Sequence, residues 1–222
     1  MAELRADQMD WFQLLSPPAP ESPPTGLYTT LDELTAACQK CHKCELAATR
    51  THVVVSRGNP QAPLMIIGEG PGQQEDETGL PFVGKAGQLL DKILASVHLD
   101  AERDVYICNV VKCRPPGNRT PEPQEVEACK PYLLEQIRLV NPKIILLAGA
   151  VAVQAILGEK RGITKIRGQW FTWQGYDCMP VLHPAYLLRN PSREVGSPKW
   201  LMWQDIQAVR ARLDALTSGM NR

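Results

Sequence analysis

No run of eighteen apolar residues occurs in this 222-residue chain, which argues against a membrane-spanning helix. The first residues, Met-Ala-Glu-Leu-Arg-Ala-Asp, lack the charged-then-apolar order of an export leader, so a cytoplasmic protein is expected. Net charge is missing too. The 24 Lys and Arg balance the 24 Asp and Glu, which argues against a basic coat that binds nucleic acid without selectivity. Neither a Walker Lys-Ser/Thr sequence nor Rossmann glycine spacing is present, and a nucleotide cofactor is accordingly disfavoured.

Cysteine is well represented, with seven residues. In a reducing compartment an odd number of thiols points to metal binding or free cysteines rather than to disulfides. Cys41 and Cys44 form a Cys-x-x-Cys turn, and Cys113 and Cys129 make a wider pair further on. The turn puts two thiolates on one metal atom, and the distant pair closes the cage only after the intervening chain has folded. Zinc and an iron–sulfur cluster both suit four thiolates. Structural zinc usually takes two tight knuckles, so the split second pair favours iron and sulfur. Cys38 offers an alternative pairing with Cys41 that spacing leaves open.

The length and a hydrophobic content of 44% suffice for one sizeable core. The expected organisation is an N-terminal extension over residues 1–29, one domain over 30–217 and a short tail over 218–222. Residues 16–24 read Ser-Pro-Pro-Ala-Pro-Glu-Ser-Pro-Pro, a tether too poor in large apolar groups to pack. Before it, Met9, Trp11, Phe12, Leu14 and Leu15 suit a short amphipathic helix, either a docking segment for a protein partner or an extra turn on the domain itself.

Short apolar runs at 64–68, 105–109, 143–148 and 179–182 predict four strands, each followed by helical punctuation. Apolar residues recur at helical spacing over 87–97 and 200–213, and Thr120 is expected to cap a helix with Pro121 in its first turn. Strand–helix alternation predicts a three-layer α/β/α domain around a central, mainly parallel four-stranded sheet. Ligands of such sheets bind beyond the carboxyl ends of the strands. There the sequence sets Gly-Glu-Gly-Pro-Gly at 68–72, Asn109, and His183 followed by proline. A carboxylate, an amide and an imidazole are therefore expected in one crevice. The stretch 157–200 carries Lys160, Arg161, Lys165, Arg167, Arg189, Arg193 and Lys199 against Glu159, Asp177 and Glu194, a surplus that reads either as an ordinary solvated surface, the reading the residues alone favour, or as one positive end.

Residues 68–72, Thr-Gly-Leu-Pro-Phe-Val-Gly-Lys-Ala-Gly at 78–87, Asn-Val-Val-Lys-Cys-Arg-Pro-Pro at 109–116 and His-Pro-Ala-Tyr-Leu-Leu-Arg-Asn-Pro-Ser at 183–192 together resemble the family 4 uracil-DNA glycosylases, the iron–sulfur branch of that superfamily. The resemblance runs from about residue 31 to 213. It implies a 4Fe-4S cluster on Cys41, Cys44, Cys113 and Cys129, to the exclusion of Cys38. It also implies a monofunctional glycosylase acting as a monomer on uracil-containing DNA, single- or double-stranded, with free uracil as product.

The resemblance assigns Phe82 as the stacking floor for a flipped uracil. The amide of Asn109 suits uracil N3–H and O4 and mismatches cytosine. His183 is expected near O2, where negative charge gathers, and Glu69 beside the sugar, orienting a water or stabilising the cationic centre. Gly70 and Gly72 are expected to leave room for the nucleotide, and Glu75 to guard against the thymine methyl. Leu187, Leu188 or Arg189 is expected to wedge into the vacated stack, with Arg189, Arg193 and Lys199 reaching phosphates. Two rival readings are a superfamily member that traps itself covalently on the abasic sugar and a non-catalytic iron–sulfur damage-binding module. The former is disfavoured because Gly70 follows Glu69 and no histidine lies in 114–120.

Overall fold

A computed structural model describes residues 26–218. The expected tether and the helix at 9–15 lie outside the described residues, as do residues 219–222. Among the described residues six strands form one sheet: β1 (Arg57–Gly58), β2 (Leu64–Gly68), β3 (Val105–Asn109), β4 (Ile144–Ala148), β5 (Phe171–Trp173) and β6 (Tyr176–Val181). Their spatial order is β1-β3-β2-β4-β6-β5. The four expected strands are the parallel centre, and short β1 and β5 add antiparallel edges. These edges escape the apolar-run criterion because they hold two and three residues, none fully buried.

Among the described residues eight α-helices accompany the sheet: α1 (Leu31–Gln39), α2 (Gln73–Thr78), α3 (Lys85–Ala95), α4 (Pro123–Val140), α5 (Ala150–Leu157), α6 (Ile163–Ile166), α7 (Pro184–Arg189) and α8 (Pro198–Ser218). Because β2, β3 and β4 are buried along their whole length, alternate side chains feed two separate cores. Met65, Ile67, Tyr106, Ile145 and Leu147 pack toward α4 and α5 through Leu133, Ile137 and Val153. Leu64, Ile66, Ile107, Ile144 and Leu146 face α3 and α8, meeting Leu90, Leu94, Ile206 and Val209. Each such fully buried Leu or Ile contributes roughly 1.5–3 kcal/mol by leaving water. The result is a three-layer α/β/α domain.

The start of α4 differs from the expectation. Its first residue is Pro123, and Glu122 rather than Thr120 holds the cap position. The Glu125 carboxylate accepts the Glu122 N–H at 2.7 Å and a bidentate pair of bonds from Arg119 at 2.9 and 2.7 Å. That interaction closes the helix end two residues later than the Thr-Pro signal suggests. No described helix is long and apolar enough to cross a membrane.

Candidate active site

The parallel strands all end on one side of the sheet, and the loops after them build a pocket of about 520 Å³. Glu69, Asn109 and His183 all line it. Register explains the first two: Gly68 pairs with Asn109 at the ends of β2 and β3, and Val110 and Val111 donate onward to the carbonyls of Gly68 and Glu69. His183 follows β6 and occupies the cap position of α7.

Asn109 is 1% exposed, and its Oδ1 is a buried acceptor without a hydrogen-bond partner. Leaving such an atom unpaired costs about 1–3 kcal/mol, which a ligand carrying an N–H donor recovers. Beside it lies Phe82, whose ring centre is 5.8 Å from that of His183 with the planes tilted by 32°. Phe82 holds a positive φ of 55°, unusual for a bulky residue. Arg57, unremarked in the sequence, secures that conformation. Its Nε donates to the Pro81 carbonyl at 2.9 Å and its Nη2 to the Phe82 carbonyl at 3.3 Å, while Asp91 and Glu102 hold the guanidinium from the other side at 2.5 Å each. The first turn of α3 presses on the same carbonyl, since a Cβ at Gly87 would stand 1.7 Å from Phe82 O.

The imidazole of His183 is set in one tautomer. Its Nδ1 accepts the Ala185 N–H at 3.2 Å, so the proton of the neutral ring resides on Nε2. Burial and, secondarily, the charge of Arg189 lower its pKa to about 4, with Glu75 opposing. At neutral pH His183 is therefore an uncharged N–H donor. Glu69 is half-buried; burial raises its carboxyl pKa, and a hydrogen bond with the Thr120 side chain works the other way.

Several expected roles change. Glu75 lines the pocket, but its carboxylate clamps the walls together, accepting N–H bonds from Gly72 at 3.1 Å, Val83 at 3.0 Å and Gly84 at 2.8 Å. With both oxygens so engaged, Glu75 braces the loops that form the pocket. Gly70 and Gly72 also line the pocket, yet the protein itself demands their small size: a Cβ at Gly70 would lie 2.8 Å from Val111 and one at Gly72 2.7 Å from Glu75. Leu187 is 1% exposed and belongs to the core, so it is no wedge; Leu188, 42% exposed, is the leucine that α7 presents outward. Arg189 reaches the pocket rim, whereas Arg193 and Lys199 line a neighbouring hollow between α3 and α8.

On the far side of the 109–116 segment, Cys41, Cys44, Cys113 and Cys129 line one hollow, and buried Cys38 lines it too. No three His, Cys, Asp or Glu side chains among the described residues are grouped to hold a single metal ion. Two N–H donors point at sulfur: Arg50 Nη1 at 3.4 Å from Cys113 Sγ and the Lys112 amide at 3.3 Å from Cys129 Sγ. Arg50 also donates to the Cys41 carbonyl at 2.7 Å. Burial pushes the Cys129 thiol up to about 11, with the charge of Lys112 opposing. Sequence reasoning overlooked Arg50 and Lys112, although Lys112 stands directly beside a predicted ligand.

A mainly parallel α/β sheet thus brings an unpaired amide acceptor, an aromatic ring and a neutral imidazole into one strand-end pocket, a lining chemically suited to a planar heterocycle that carries an N–H. The family profile described as "Uracil DNA glycosylase superfamily" matches residues 55–207. A type-4 uracil-DNA glycosylase of Thermotoga maritima is 47% identical over 175 residues, covering 78% of this chain and 89% of the relative. One from Sulfurisphaera tokodaii is 43% identical over 205 residues, covering 87% and 93%, and one from Saccharolobus solfataricus is 41% identical over 169 residues, covering 72% and 78%. The chain belongs to the uracil-DNA glycosylase superfamily, in its type-4 branch.

Proposed function

We propose that this protein is a monofunctional uracil-DNA glycosylase of base-excision repair. It hydrolyses the bond between uracil and deoxyribose in a nucleotide turned out of the DNA and leaves an abasic site. A single buried atom, Asn109 Oδ1, supports this reading most strongly, because its missing partner is what uracil N3–H supplies. The amide nitrogen then faces O4. Cytosine has no N3–H and carries an amino group in place of O4, so it would leave the acceptor unpaired and set donor against donor. Phe82 provides the face on which the base stacks.

As the glycosidic bond lengthens, electrons collect on the uracil ring and its O2, and positive charge develops at C1′. Nε2–H of neutral His183 donates to O2, an interaction that strengthens as charge grows and therefore favours the transition state. Ionised Glu69 either stabilises the sugar cation or orients the water whose oxygen bonds to C1′. The proton released by that water neutralises the departing uracil anion. Among the described residues no lysine lines the pocket, in keeping with hydrolysis without a Schiff base.

Cys41, Cys44, Cys113 and Cys129 hold a 4Fe-4S cluster on this reading, supported by their shared hollow and the N–H donors from Arg50 and Lys112 aimed at sulfur. Bound there, the cluster supplies structure, since hydrolysis of an N-glycosidic bond requires no electron transfer. Arg189, Arg193 and Lys199 meet phosphates, and Leu188 fills the space left by the base. The enzyme acts as a cytoplasmic monomer. Base release from uracil-containing oligonucleotides, single- and double-stranded, tests the proposal. Wild type should release uracil, with His183→Ala and Asn109→Ala crippled; binding without release at any enzyme excess would point instead to a damage-binding module.

A further inference from the structure

We propose that Lys112 is a positioning residue for base recognition, holding the Asn109 backbone so that its amide faces the pocket, and that Gln136 anchors it to the helix that carries Cys129. The inference rests on the reading of Asn109 as the uracil-recognising residue. Because Asn109 Oδ1 has no protein partner, no bond to that atom aims the side chain before the base arrives. Its direction depends on where the backbone stands. The strand register of β3 with β2 ends at the Gly68–Asn109 pair; the N–H groups of Val110 and Val111 still reach the carbonyls of Gly68 and Glu69, but the Asn109 carbonyl itself accepts from Lys112 Nζ at 2.6 Å.

Lysine is an expensive residue to bury, yet Lys112 is 1% exposed. Its ammonium donates to the Asn109 carbonyl and to Gln136 Oε1. Gln136, wholly buried on α4, is committed at its other end: Nε2 donates to the Val55 carbonyl at 3.1 Å and to the Tyr106 hydroxyl at 2.9 Å. Those bonds fix its amide orientation and present Oε1 to the lysine. The backbone of Lys112 is held as well, its N–H on Cys129 Sγ at 3.3 Å and its carbonyl accepting the Val54 N–H at 2.8 Å. A side chain that merely filled space would need no such chain of satisfied donors and acceptors.

Lys112→Met keeps the stem and removes the donors. On uracil DNA, kcat/KM should fall on the order of 10- to 100-fold, as displacement of a recognition group by a fraction of an ångström to 1 Å implies. Free uracil should bind correspondingly less tightly, while affinity for abasic-site DNA, which lacks the base Asn109 would read, stays at the wild-type value. In an Asn109→Ala background the lysine substitution should cost little more. Gln136→Met, which removes one of the two acceptors of the ammonium, runs the same cycle should Lys112→Met not fold. Wild-type activity, a loss that persists undiminished in the Asn109→Ala background, or a parallel loss of abasic-DNA binding would each overturn the proposal. Full activity of Asn109→Ala alone would instead remove the recognition role on which it stands, a separate and distinguishable failure.

Discussion

Asn109 Oδ1 and the edge of the Phe82 ring share the space left by the missing side chain of Gly68: a Cβ there would stand 2.4 Å from the oxygen and 2.5 Å from Phe82 Cζ. The Asn109 amide and the Phe82 ring are thus packed through one backbone position at the end of β2. Gly68→Ala must push one or both aside. The expected outcome is a fall in kcat/KM on uracil DNA of about 10²-fold, with weakened binding of free uracil measured by calorimetry. Wild-type uracil affinity in this variant would show that the two groups do not act together.

The acid limb of the pH–rate profile should belong to Glu69. Folding lowers His183 to about 4, so the ring is already a neutral donor well below pH 6.5, whereas burial raises Glu69 above the ordinary carboxylate value. Activity should therefore fall with decreasing pH as Glu69 takes up its proton, before His183 does. In Glu69→Gln the rate should drop by roughly 10²–10⁴-fold, and the residual limb should move to lower pH. Stability follows the histidine in the same direction. Its neutral folded form contributes fully above the unfolded pKa near 6.5, and the contribution is lost as pH falls through about 4. A limb near 6.5 that disappears in His183→Gln would contradict this order.

Much of this architecture was legible because β2, β3 and β4 are uninterrupted apolar runs, and parallel strands deliver their carboxyl-end loops to one edge of the sheet. The convergence of Glu69, Asn109 and His183 is a consequence of that topology. Motif resemblance located Phe82 but not the reason for its position, because the Arg57 clamp spans 25 residues and leaves no local pattern. Lys112 and Gln136 were hidden for the same reason: their partnership joins a strand end to a helix, and a lysine between apolar neighbours reads as surface. The three N–H bonds to Glu75 and the burial of Leu187 were not legible, because a single turn decides between facing the pocket and facing the protein.

Glu75 should prove to be a brace. Its carboxylate gathers three backbone N–H groups from two loops, so Glu75→Ala frees donors that only partly regain water. Hydrogen bonds to a charged group are worth about 1.5–3 kcal/mol, and a loss of about 2 kcal/mol lowers Tm by roughly 4–8 °C in a domain of this size. Glu75→Gln, which keeps one acceptor oxygen, should recover part of the stability. The ratio of uracil to thymine release should not change in either variant. A gain of thymine release in Glu75→Ala with unchanged Tm would restore the role of a guard.

Leu187 and Leu188, neighbours on α7, should separate packing from DNA contact. Leu187 is sealed among α3, α8 and the sheet, so Leu187→Ala opens a cavity and should cost about 2–5 kcal/mol in chemical denaturation. Leu188 is 42% exposed, and its truncation should change stability by less than about 0.5 kcal/mol. A wedge is needed only where a base must be drawn from a stack and its place filled. Leu188→Ala should accordingly slow release from double-stranded uracil DNA while leaving release from an unstructured single strand near the wild-type rate. Equal slowing on both substrates would assign Leu188 to general strand binding and leave Arg189, at the pocket rim, as the residue to test for insertion.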